Sequence, residues 1–292
     1  MLPSDIIKRY CVRKGSEFRL AEINPADKCG LDIEKDEAKA LLDQGVKRLT
    51  ALQERLYAEH AYAILVILQG LDASGKDSVI KHVMSGVNPQ GCEVHSFKAP
   101  SPEELDHDYL WRAAVALPRR GHIGIFNRSY YEEVLVVRVH PELIERQSLP
   151  PKLVTKTIWQ ERFEDINAFE HHLVRNGIVP IKFFLHVSKQ EQQKRLLERL
   201  DDPAKQWKFN ASDVGERKLW DQYMGAYDDM VRHTATPDAP WYVVPADHKW
   251  FTRLVVAASM VKQLETINPK FPTLDEAALR DLEAVRVALA GA

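Results

Sequence analysis

Apolar and polar residues follow two different spacings along this chain. In residues 34–60, leucine and valine recur mostly every three or four positions, which predicts a long amphipathic helix. Residues 61–68 are continuously apolar over the length of a strand, which is typical of a strand buried on both faces of a parallel sheet. Shorter apolar runs predict four further strands at residues 93–97, 123–126, 178–187 and 241–244.

Segments with helical spacing separate these strands. The pattern predicts helices over residues 76–86, 102–117, 152–176, 189–200 and 248–267, with a short one near 276–288. Ser101 and Ser188 are placed to cap the helices that follow them, and Gly177 is placed to end another. Strands that alternate with helices predict an α/β fold in three layers, with helices on both faces of a parallel central sheet.

Proline and glycine residues divide the chain into three parts. Residues 1–33 are interrupted by several of them, including Pro25 and Gly30, which predicts an irregular N-terminal arm. Residues 34–272 form the α/β domain, and residues 273–292 form a C-terminal tail. Sheets of this type bind their ligands at the carboxyl ends of the strands, so functional residues are expected there.

The composition excludes several classes of protein. The chain has 292 residues, of which 45% are hydrophobic and 28% charged, as in an ordinary globular protein. No apolar run approaches the ~18 residues of a membrane-spanning helix, and the first residues lack the apolar core of a secretory signal. The three cysteines are scattered, so no disulfide framework or structural zinc site is expected. We therefore expect a cytoplasmic protein with no membrane partner.

Charge is distributed unevenly. The net charge of −2 argues against a general nucleic-acid binder, so no nucleic-acid partner is expected. Residues 109–131 nevertheless contain no acidic residue and include Arg112, Arg119, Arg120 and Arg128, which indicates a defined anion site. Arg119 and Arg120 precede the 123–126 strand at the end away from its carboxyl edge, so we expect them in a solvated turn.

The sharpest local signal is the loop GLDASGKDS at residues 70–78, which matches the spacing GxxxxGK between a buried strand and a helix. Gly70 and Gly75 let the backbone curl, so that the amides of the loop, including Ala73 and Ser74, face phosphate oxygens. Lys76 then supplies a mobile positive charge to the terminal phosphates. The structural alternative is an ordinary glycine-containing turn between strand and helix.

Two carboxylates distinguish this loop from the common motif. The common motif places Ser or Thr after the lysine, where its hydroxyl binds Mg²⁺, but here Asp77 follows the lysine and Ser78 comes next. Asp72 lies inside the loop itself. Carboxylates beside a phosphate site repel the substrate unless metal ions lie between them, which makes Asp72 a candidate ligand of Mg²⁺. Asp77 either joins the phosphate site or acts as a favourable acid in the first turn of its helix.

Polar residues also begin at the carboxyl end of the 123–126 strand. In phosphate-loop enzymes a neighbouring strand ends in an acid near the metal, but here Asn127 stands at that place. Its carbonyl can coordinate a metal, although it brings no charge. Arg128 can bind two phosphate oxygens at once, or it can pair with Glu132 on the surface.

Residues 194–218 are rich in charge, with seven basic and five acidic side chains. The helical pattern stops at Asp202 and Pro203 and resumes near Asp213. In phosphate-transfer enzymes a mobile basic segment closes over the phosphates and excludes water, so we expect a lid at about residues 195–215. A charged surface hairpin is the alternative. The candidate phosphate-binding cations of the lid are Arg195, Arg199, Lys205 and Lys208.

Together these motifs resemble the polyphosphate kinase 2 family. The loop at residues 70–77 is followed in order by FNRSYYE at 126–132, KFFLH at 182–186, WKFN at 207–210 and APWYVVPA at 239–246. The resemblance covers roughly residues 35–270. It implies a thymidylate-kinase-like P-loop kinase fold with a helical lid, and Mg²⁺-dependent transfer of phosphoryl groups between inorganic polyphosphate and nucleotides. It also implies a homo-oligomer, either a dimer or a tetramer.

The resemblance further assigns roles by position. It implies that Asp72 holds Mg²⁺, that Lys76 is the loop lysine and that Arg128 lies near the phosphates. Asn127 departs from the Asp of many members, and together with Glu132 it resembles the class III subgroup, which phosphorylates both nucleoside mono- and diphosphates. We therefore expect reversible transfer to AMP, ADP or both, with guanine nucleotides left open. The alternatives are an ATP-dependent nucleotide kinase of the same fold and a non-catalytic phosphate sensor.

Overall fold

One sheet forms the centre of the computed structural model, which describes residues 4–208 and 210–291. Its order is β1–β6–β5–β2–β4–β3, and every neighbouring pair is parallel except β1 and β6. The strands are β1 Cys11–Val12, β2 Ala63–Gln69, β3 Cys92–Ser96, β4 Ile123–Asn127, β5 Ile178–His186 and β6 Trp241–Pro245.

Helices cover both faces of this sheet. The α-helices are α1 Ser4–Arg9, α2 Lys35–Glu59, α3 Lys76–Val83, α4 Pro102–Leu105, α5 Trp111–Val115, α6 Val136–Val139, α7 Ile158–Arg175, α8 Lys189–Asp201, α9 Ser212–Lys218, α10 Trp220–Thr234, α11 Lys249–Ile267 and α12 Glu276–Ala290. Short 3-10 helices lie at Gly15–Glu17, Leu20–Glu22, Pro89–Gly91, Tyr130–Val134, Pro141–Gln147, Pro151–Leu153 and Gln206–Lys208.

The central strand β2 explains the continuous apolar run in the sequence. Successive side chains of a strand point to opposite faces of the sheet. Accordingly Ile64 and Val66 pack in one hydrophobic core with α2, α3 and α11, whereas Leu65 and Ile67 pack in a second core with α7 and α10. Both faces of β2 are buried, which confirms the predicted three-layer α/β fold.

The first 33 residues are more ordered than the predicted irregular arm. Helix α1 and strand β1 lie in this segment, and Cys11 of β1 pairs with Tyr242 of β6. Ile7 and Tyr10 are buried in the core beside α11. The prediction of an irregular segment is therefore wrong, because a two-residue edge strand carries too little pattern to be recognised. Residues 1–3 lie outside the described residues, and the division into arm, domain and tail stays a prediction.

Two predicted helices are shorter than their apolar pattern indicates. The 102–117 helix is split into α4 and α5, because the Asp108 side chain accepts a hydrogen bond from the Leu110 amide at 2.9 Å and stabilises a turn instead. The 152–176 helix begins only at Ile158, after a similar turn between the Thr157 amide and the Thr155 hydroxyl at 3.2 Å. The predicted cap at Ser188 is confirmed by its hydrogen bond from the Glu191 amide at 3.1 Å.

The last helix, α12, lies where the sequence predicts a short helix. Its apolar side chains are exposed, including Leu279, Leu282 and Leu289, so it adds nothing to either core. In the part of the chain that the structure describes, no helix combines the length and the apolar character needed to cross a bilayer.

Candidate active site

The loop at residues 70–75 curls between β2 and α3, as the glycine spacing predicts. A side chain at Gly70 would place its Cβ atom 2.6 Å from Ser74 Oγ and 3.0 Å from the Leu185 carbonyl oxygen. Gly75 has a φ of +112°, which glycine adopts without steric cost. Ala73 also has a positive φ, of +61°, although it carries a side chain. The loop is therefore a tight, strained turn at the carboxyl edge of the sheet.

Lys76 starts α3 and folds back over the loop. Its Nζ atom donates hydrogen bonds to the carbonyl oxygens of Gly70 at 2.6 Å and Leu71 at 3.2 Å. Only 8% of the residue is exposed. Burial, followed by the charge of Arg128, lowers the pKa of Lys76 to about 8, although nearby carboxylates oppose this shift. The lysine thus lies inside the loop, where it can reach a bound phosphate.

Arg128 follows β4 and bridges two carboxylates. Its Nη2 atom lies 2.6 Å from Asp72 Oδ1, and its Nη1 atom lies 2.9 Å from Glu132 Oε2. The charge of Glu132, with a smaller effect of Asp72, raises the pKa of Arg128 above its ordinary value despite burial. The structure thus contains the Arg128–Glu132 pair that the sequence left open, and it brings both residues to the phosphate loop.

A buried network fixes the turn that carries Arg128. Lys182 of β5 donates to Glu170 of α7 at 2.6 Å. The hydroxyls of Tyr130 and Tyr131 donate to the other oxygen of the same carboxylate, at 2.8 and 2.7 Å. Because the two tyrosines come just after Arg128, whose φ is +64°, this network holds a strained backbone in place. It also gives the KFFLH segment a structural role.

Asp77 is contacted from the sheet and from the lid. Asn127 donates to its Oδ1 atom at 2.9 Å, and Lys208 donates to its Oδ2 atom at 2.8 Å. The Lys208 hydrogen bond, followed by the one from Asn127, lowers the pKa of Asp77 in spite of partial burial. The adjacent Ser78 hydroxyl accepts a hydrogen bond from Arg253 of α11 at 2.8 Å. The predicted residues Asp77, Asn127 and Lys208 therefore lie together.

Arg195 supports the loop and does not face the site. Its Nε atom donates to Glu191 at 2.8 Å, and its Nη atoms donate to four backbone carbonyls within 3.1 Å. A guanidinium has five N–H donors, so none is left for a phosphate. All of its donors thus bind the protein itself in this structure, and a role for Arg195 as a phosphate ligand of the lid stays a prediction. The four carbonyls belong to Ala73, Ser74, Ala246 and Asp247.

The lid contacts the loop through side chains. Arg217 of α9 donates to Gln192 Oε1 at 2.6 Å, and Gln192 donates in turn to the Asp72 carbonyl at 3.0 Å. Arg199 lies 3.4 Å from Asp213 Oδ2, which joins α8 to α9 within the lid instead of reaching the loop. The break in the helical pattern lies where the sequence predicts it, since α8 ends at Asp201 and α9 begins at Ser212, while the role of this segment as a lid stays a prediction. Residue 209 lies outside the described residues.

A cavity of about 550 Å³ opens beside the loop. Gly70, Asp72 and Arg128 line it together with residues of α10 and of the 194–218 segment. The sequence did not indicate this cavity, because Tyr223 and Tyr227 read as ordinary core residues at helical spacing. Apolar and aromatic side chains form much of its surface, among them Leu71, Phe97, Leu105, Val136, Val137, Leu143, Leu196, Trp220, Tyr223 and Tyr227.

Comparison with known proteins identifies the family. Residues 32–272 match the family model of polyphosphate kinase 2 (PPK2). The chain belongs to the polyphosphate kinase 2 family. It is also similar in structure to polyphosphate kinase 2 from Arthrobacter aurescens, with a TM-score of 0.84 and 39% identity over 94% of this chain and 95% of that one. This match confirms the P-loop kinase fold that the resemblance implied.

Two curated relatives are similar over most of their length. An ADP-polyphosphate phosphotransferase from Rhodopseudomonas palustris is 48% identical over 86% of this chain and 88% of its own. An AMP/ADP-polyphosphate phosphotransferase from Meiothermus ruber is 44% identical over 91% of this chain and 96% of its own. The polyphosphate kinase 2 chain described here is therefore an enzyme of the phosphotransferase class.

The residues at this PPK2 site fit a metal ion that is shared with substrate phosphates. Phosphoryl transfer between polyphosphate and nucleotides uses divalent cations to neutralise phosphate charge. No group of three or more acidic, His or Cys side chains that could hold an ion by themselves occurs within residues 4–208 and 210–291. However, Asn127 Oδ1 is buried and has no hydrogen-bond partner among the described residues, and the adjacent Arg128 contacts Asp72 at 2.6 Å. Such a sparse oxygen set suits Mg²⁺, which keeps waters and phosphate oxygens as ligands.

Proposed function

We propose that this polyphosphate kinase transfers the terminal phosphoryl group of inorganic polyphosphate to AMP and to ADP, giving ADP and ATP, in a reversible reaction. The observation that carries the proposal is that Gly70, Asp72 and Arg128 line a cavity large enough for a nucleotide, while Lys76 binds the Gly70 carbonyl of the same loop. The family and the names of the two curated relatives support it.

The chain contributes position and charge to this reaction. The loop amides and the start of α3 bind phosphate oxygens. Lys76 and Arg128 neutralise charge on the phosphoryl group as it moves in line between donor and acceptor, so no covalent enzyme intermediate is needed. Mg²⁺, held by Asp72 with the carbonyl of Asn127 and the phosphates, supplies further neutralisation of that charge when it is bound. The lid excludes water as a competing acceptor.

The two substrates approach the loop from different sides in this proposal. The apolar and aromatic cavity suits a nucleoside, whereas polyphosphate has no apolar surface to bury there. The cavity lining does not include Lys208, Lys249 and Arg253. Lys208 contacts Asp77 and Arg253 contacts Ser78 in the first turn of α3. Lys249 lies close enough to Arg253 to interact with its charge. Burial and the neighbouring positive charges of Arg195 and Arg253 lower the pKa of Lys249. A crowded set of cations of this kind suits a polyanion.

The class III assignment is part of the proposal. Asn127 and Glu132 support it, as does the similarity to an AMP/ADP-polyphosphate phosphotransferase. We extend the proposal to Mg²⁺ as the cofactor, to a cytoplasmic location and to a homo-oligomer, either dimer or tetramer. Adenine nucleotides are the proposed acceptors, and guanine nucleotides are to be tested beside them.

The deciding experiment supplies Mg²⁺, long-chain polyphosphate and AMP without ATP, and follows the nucleotides by chromatography. The proposal requires ADP and then ATP to appear. Conversion of added ADP alone would keep the family chemistry and remove the class III assignment. A requirement for ATP as donor would favour a nucleotide kinase of the same fold. Lys76→Ala should abolish turnover, whereas the matched control Lys47→Ala, on the exposed face of α2, should retain it.

A further inference from the structure

A second cavity of about 270 Å³ adjoins the first. One cation, Arg112 of α5, lies where the two cavities meet, and only 7% of it is exposed. This residue belongs to the acid-free stretch of the sequence, but neither the motif nor the proposed function gives it a role. The residues that line both cavities are Pro100, Leu105, Arg112, Glu133 and Gln147.

Arg112 has no counter-ion in the part of the chain that the structure describes. Its Nη1 atom donates to the Lys98 carbonyl at 2.9 Å, and its guanidinium carbon lies 5.3 Å from the centre of the Phe97 ring. The acid at the same junction, Glu133, is bound to Arg162 at 2.6 Å and to Gln147 at 2.7 Å. Glu133 is therefore already neutralised by another arginine.

The lining of the larger cavity as a whole shows the same excess of positive charge over unpaired acids, among the residues that the structure describes. Every carboxylate that lines the larger cavity has a partner: Asp72 and Glu132 bind Arg128, Glu133 binds Arg162, Asp213 binds Arg199, and Glu216 binds Tyr223 and His140. In contrast, four of the five lining cations take part in no ion pair within the described residues, namely Lys98, Arg112, Arg146 and Arg217. Of these four, Arg112 is the buried one.

A buried guanidinium without a counter-ion is costly, and the cost falls when an anion enters beside it. The neighbouring walls are apolar and aromatic, which suits a nucleoside and not a polyphosphate chain. We propose that Arg112 binds a phosphate oxygen of the acceptor nucleotide directly and so sets the affinity for the acceptor, not for polyphosphate. This inference rests on the proposed placement of the nucleotide in the cavity.

The test compares Arg112→Met and Arg112→Lys with a matched control, Arg120→Met. Arg120 also makes a single hydrogen bond to a backbone carbonyl, that of Ala61 at 2.7 Å, but it lies at the opposite edge of the sheet. Arg112→Met should raise the KM for AMP and for ADP by about tenfold to a hundredfold, since a charged hydrogen bond is lost. The KM for polyphosphate should stay within about twofold. The KM values of Arg112→Lys for AMP and ADP should fall between those of the wild type and those of Arg112→Met. The KM values of Arg120→Met should match those of the wild type.

A purely structural role for Arg112 would give a different result, namely equal losses for all three substrates with a lower Tm of the free protein. Three outcomes would overturn the proposal. They are this result, an increase confined to the KM for polyphosphate, and no change in any KM. Binding of AMP alone, measured as the rise in Tm without polyphosphate, separates this inference from the proposed function. If AMP stabilises the wild type and not Arg112→Met, the inference holds whatever the phosphoryl donor proves to be.

Discussion

At the scale of single residues, Arg195 joins three segments that are distant in sequence. It binds carbonyls of the phosphate loop and of the segment after β6 while it sits on α8. The loop has positive φ at Ala73 and Gly75, so it needs such outside support to keep its shape. One buried side chain therefore supports the shape of the phosphate loop from a neighbouring helix.

Replacing Arg195 by Met should destabilise the fold as well as the site. Four carbonyls and the Glu191 carboxylate lose their donor, so the free energy of unfolding should fall by about 3 kcal/mol. Urea denaturation measures this change, and Lys194→Met, next along the same helix and exposed, serves as the control. If stability is unaffected and only the KM for polyphosphate rises, Arg195 is a phosphate ligand after all.

The lowered pKa of Lys76 predicts how the activity depends on pH. An ordinary lysine keeps its charge to about pH 10.5, but burial lowers the pKa of Lys76 to about 8. Because the charged form binds phosphate, kcat/KM for polyphosphate should fall as the pH rises through about 8 in the free enzyme. Bound phosphates favour the charged form, so kcat should fall only at higher pH.

The pH profile of Lys76→Arg supplies the control, because a guanidinium stays charged over this range. Its residual kcat/KM should lack the alkaline decline. A wild-type profile that is flat up to pH 9.5 would contradict this role for Lys76.

At the scale of elements, the lid is tied to the loop by few contacts, and the Lys208–Asp77 pair is the most exposed of them. An exposed ion pair contributes at most about 1 kcal/mol, so Lys208→Met should speed protease cleavage between residues 202 and 211 by up to about fivefold. Limited digestion with a protease that does not require lysine measures this rate. Lys205→Met is the control, since Lys205 pairs with Asp202 inside the lid. Equal rates for both variants would mean that Lys208 does not hold the lid closed.

Elements that depend on local interactions were predicted more accurately than elements that depend on partners distant in sequence. Strands β2 and β5 were located to within two residues, because burial on both faces leaves a continuous apolar signal. The GxxxxGK spacing located the loop because its two glycines stand where the backbone has positive φ. Strand β1 was missed because its pairing partner lies in residues 241–242.

The same distinction between local and long-range interactions applies to the residues of the candidate site. Sequence alone brought Asp72, Lys76 and Arg128 to one edge of the sheet, because each follows or lies beside a predicted strand end. It did not reveal the hydrogen bonds of Arg195, which go to backbone carbonyls that no sequence motif marks. It also gave Arg112 no place in the site, because only the folded cavity shows that no acid among the described residues pairs with this buried cation.

At the scale of the whole molecule, α12 stands outside the cores. Removal of residues 273–292 should leave kcat unchanged and the free energy of unfolding within about 0.5 kcal/mol, because the apolar side chains of α12 are exposed. Activity assays and urea denaturation of the shortened chain test this, with light scattering to record its assembly. A large loss of stability together with a smaller particle would mean that another subunit covers α12.

The antiparallel pairing of β1 with β6 at the edge of the sheet also affects when this edge can form during synthesis. Strand β1 is the first of the six strands to leave the ribosome, whereas its partner β6 is the last of them. The Val243 amide donates a hydrogen bond to the Tyr10 carbonyl at 2.9 Å. At translation rates of about 5 to 20 residues per second, the first strand waits for roughly 12 to 50 s. During that interval its buried residues Ile7 and Tyr10 have no core to enter. The apolar side chains at this end of the nascent chain therefore stay exposed until β6 has been made.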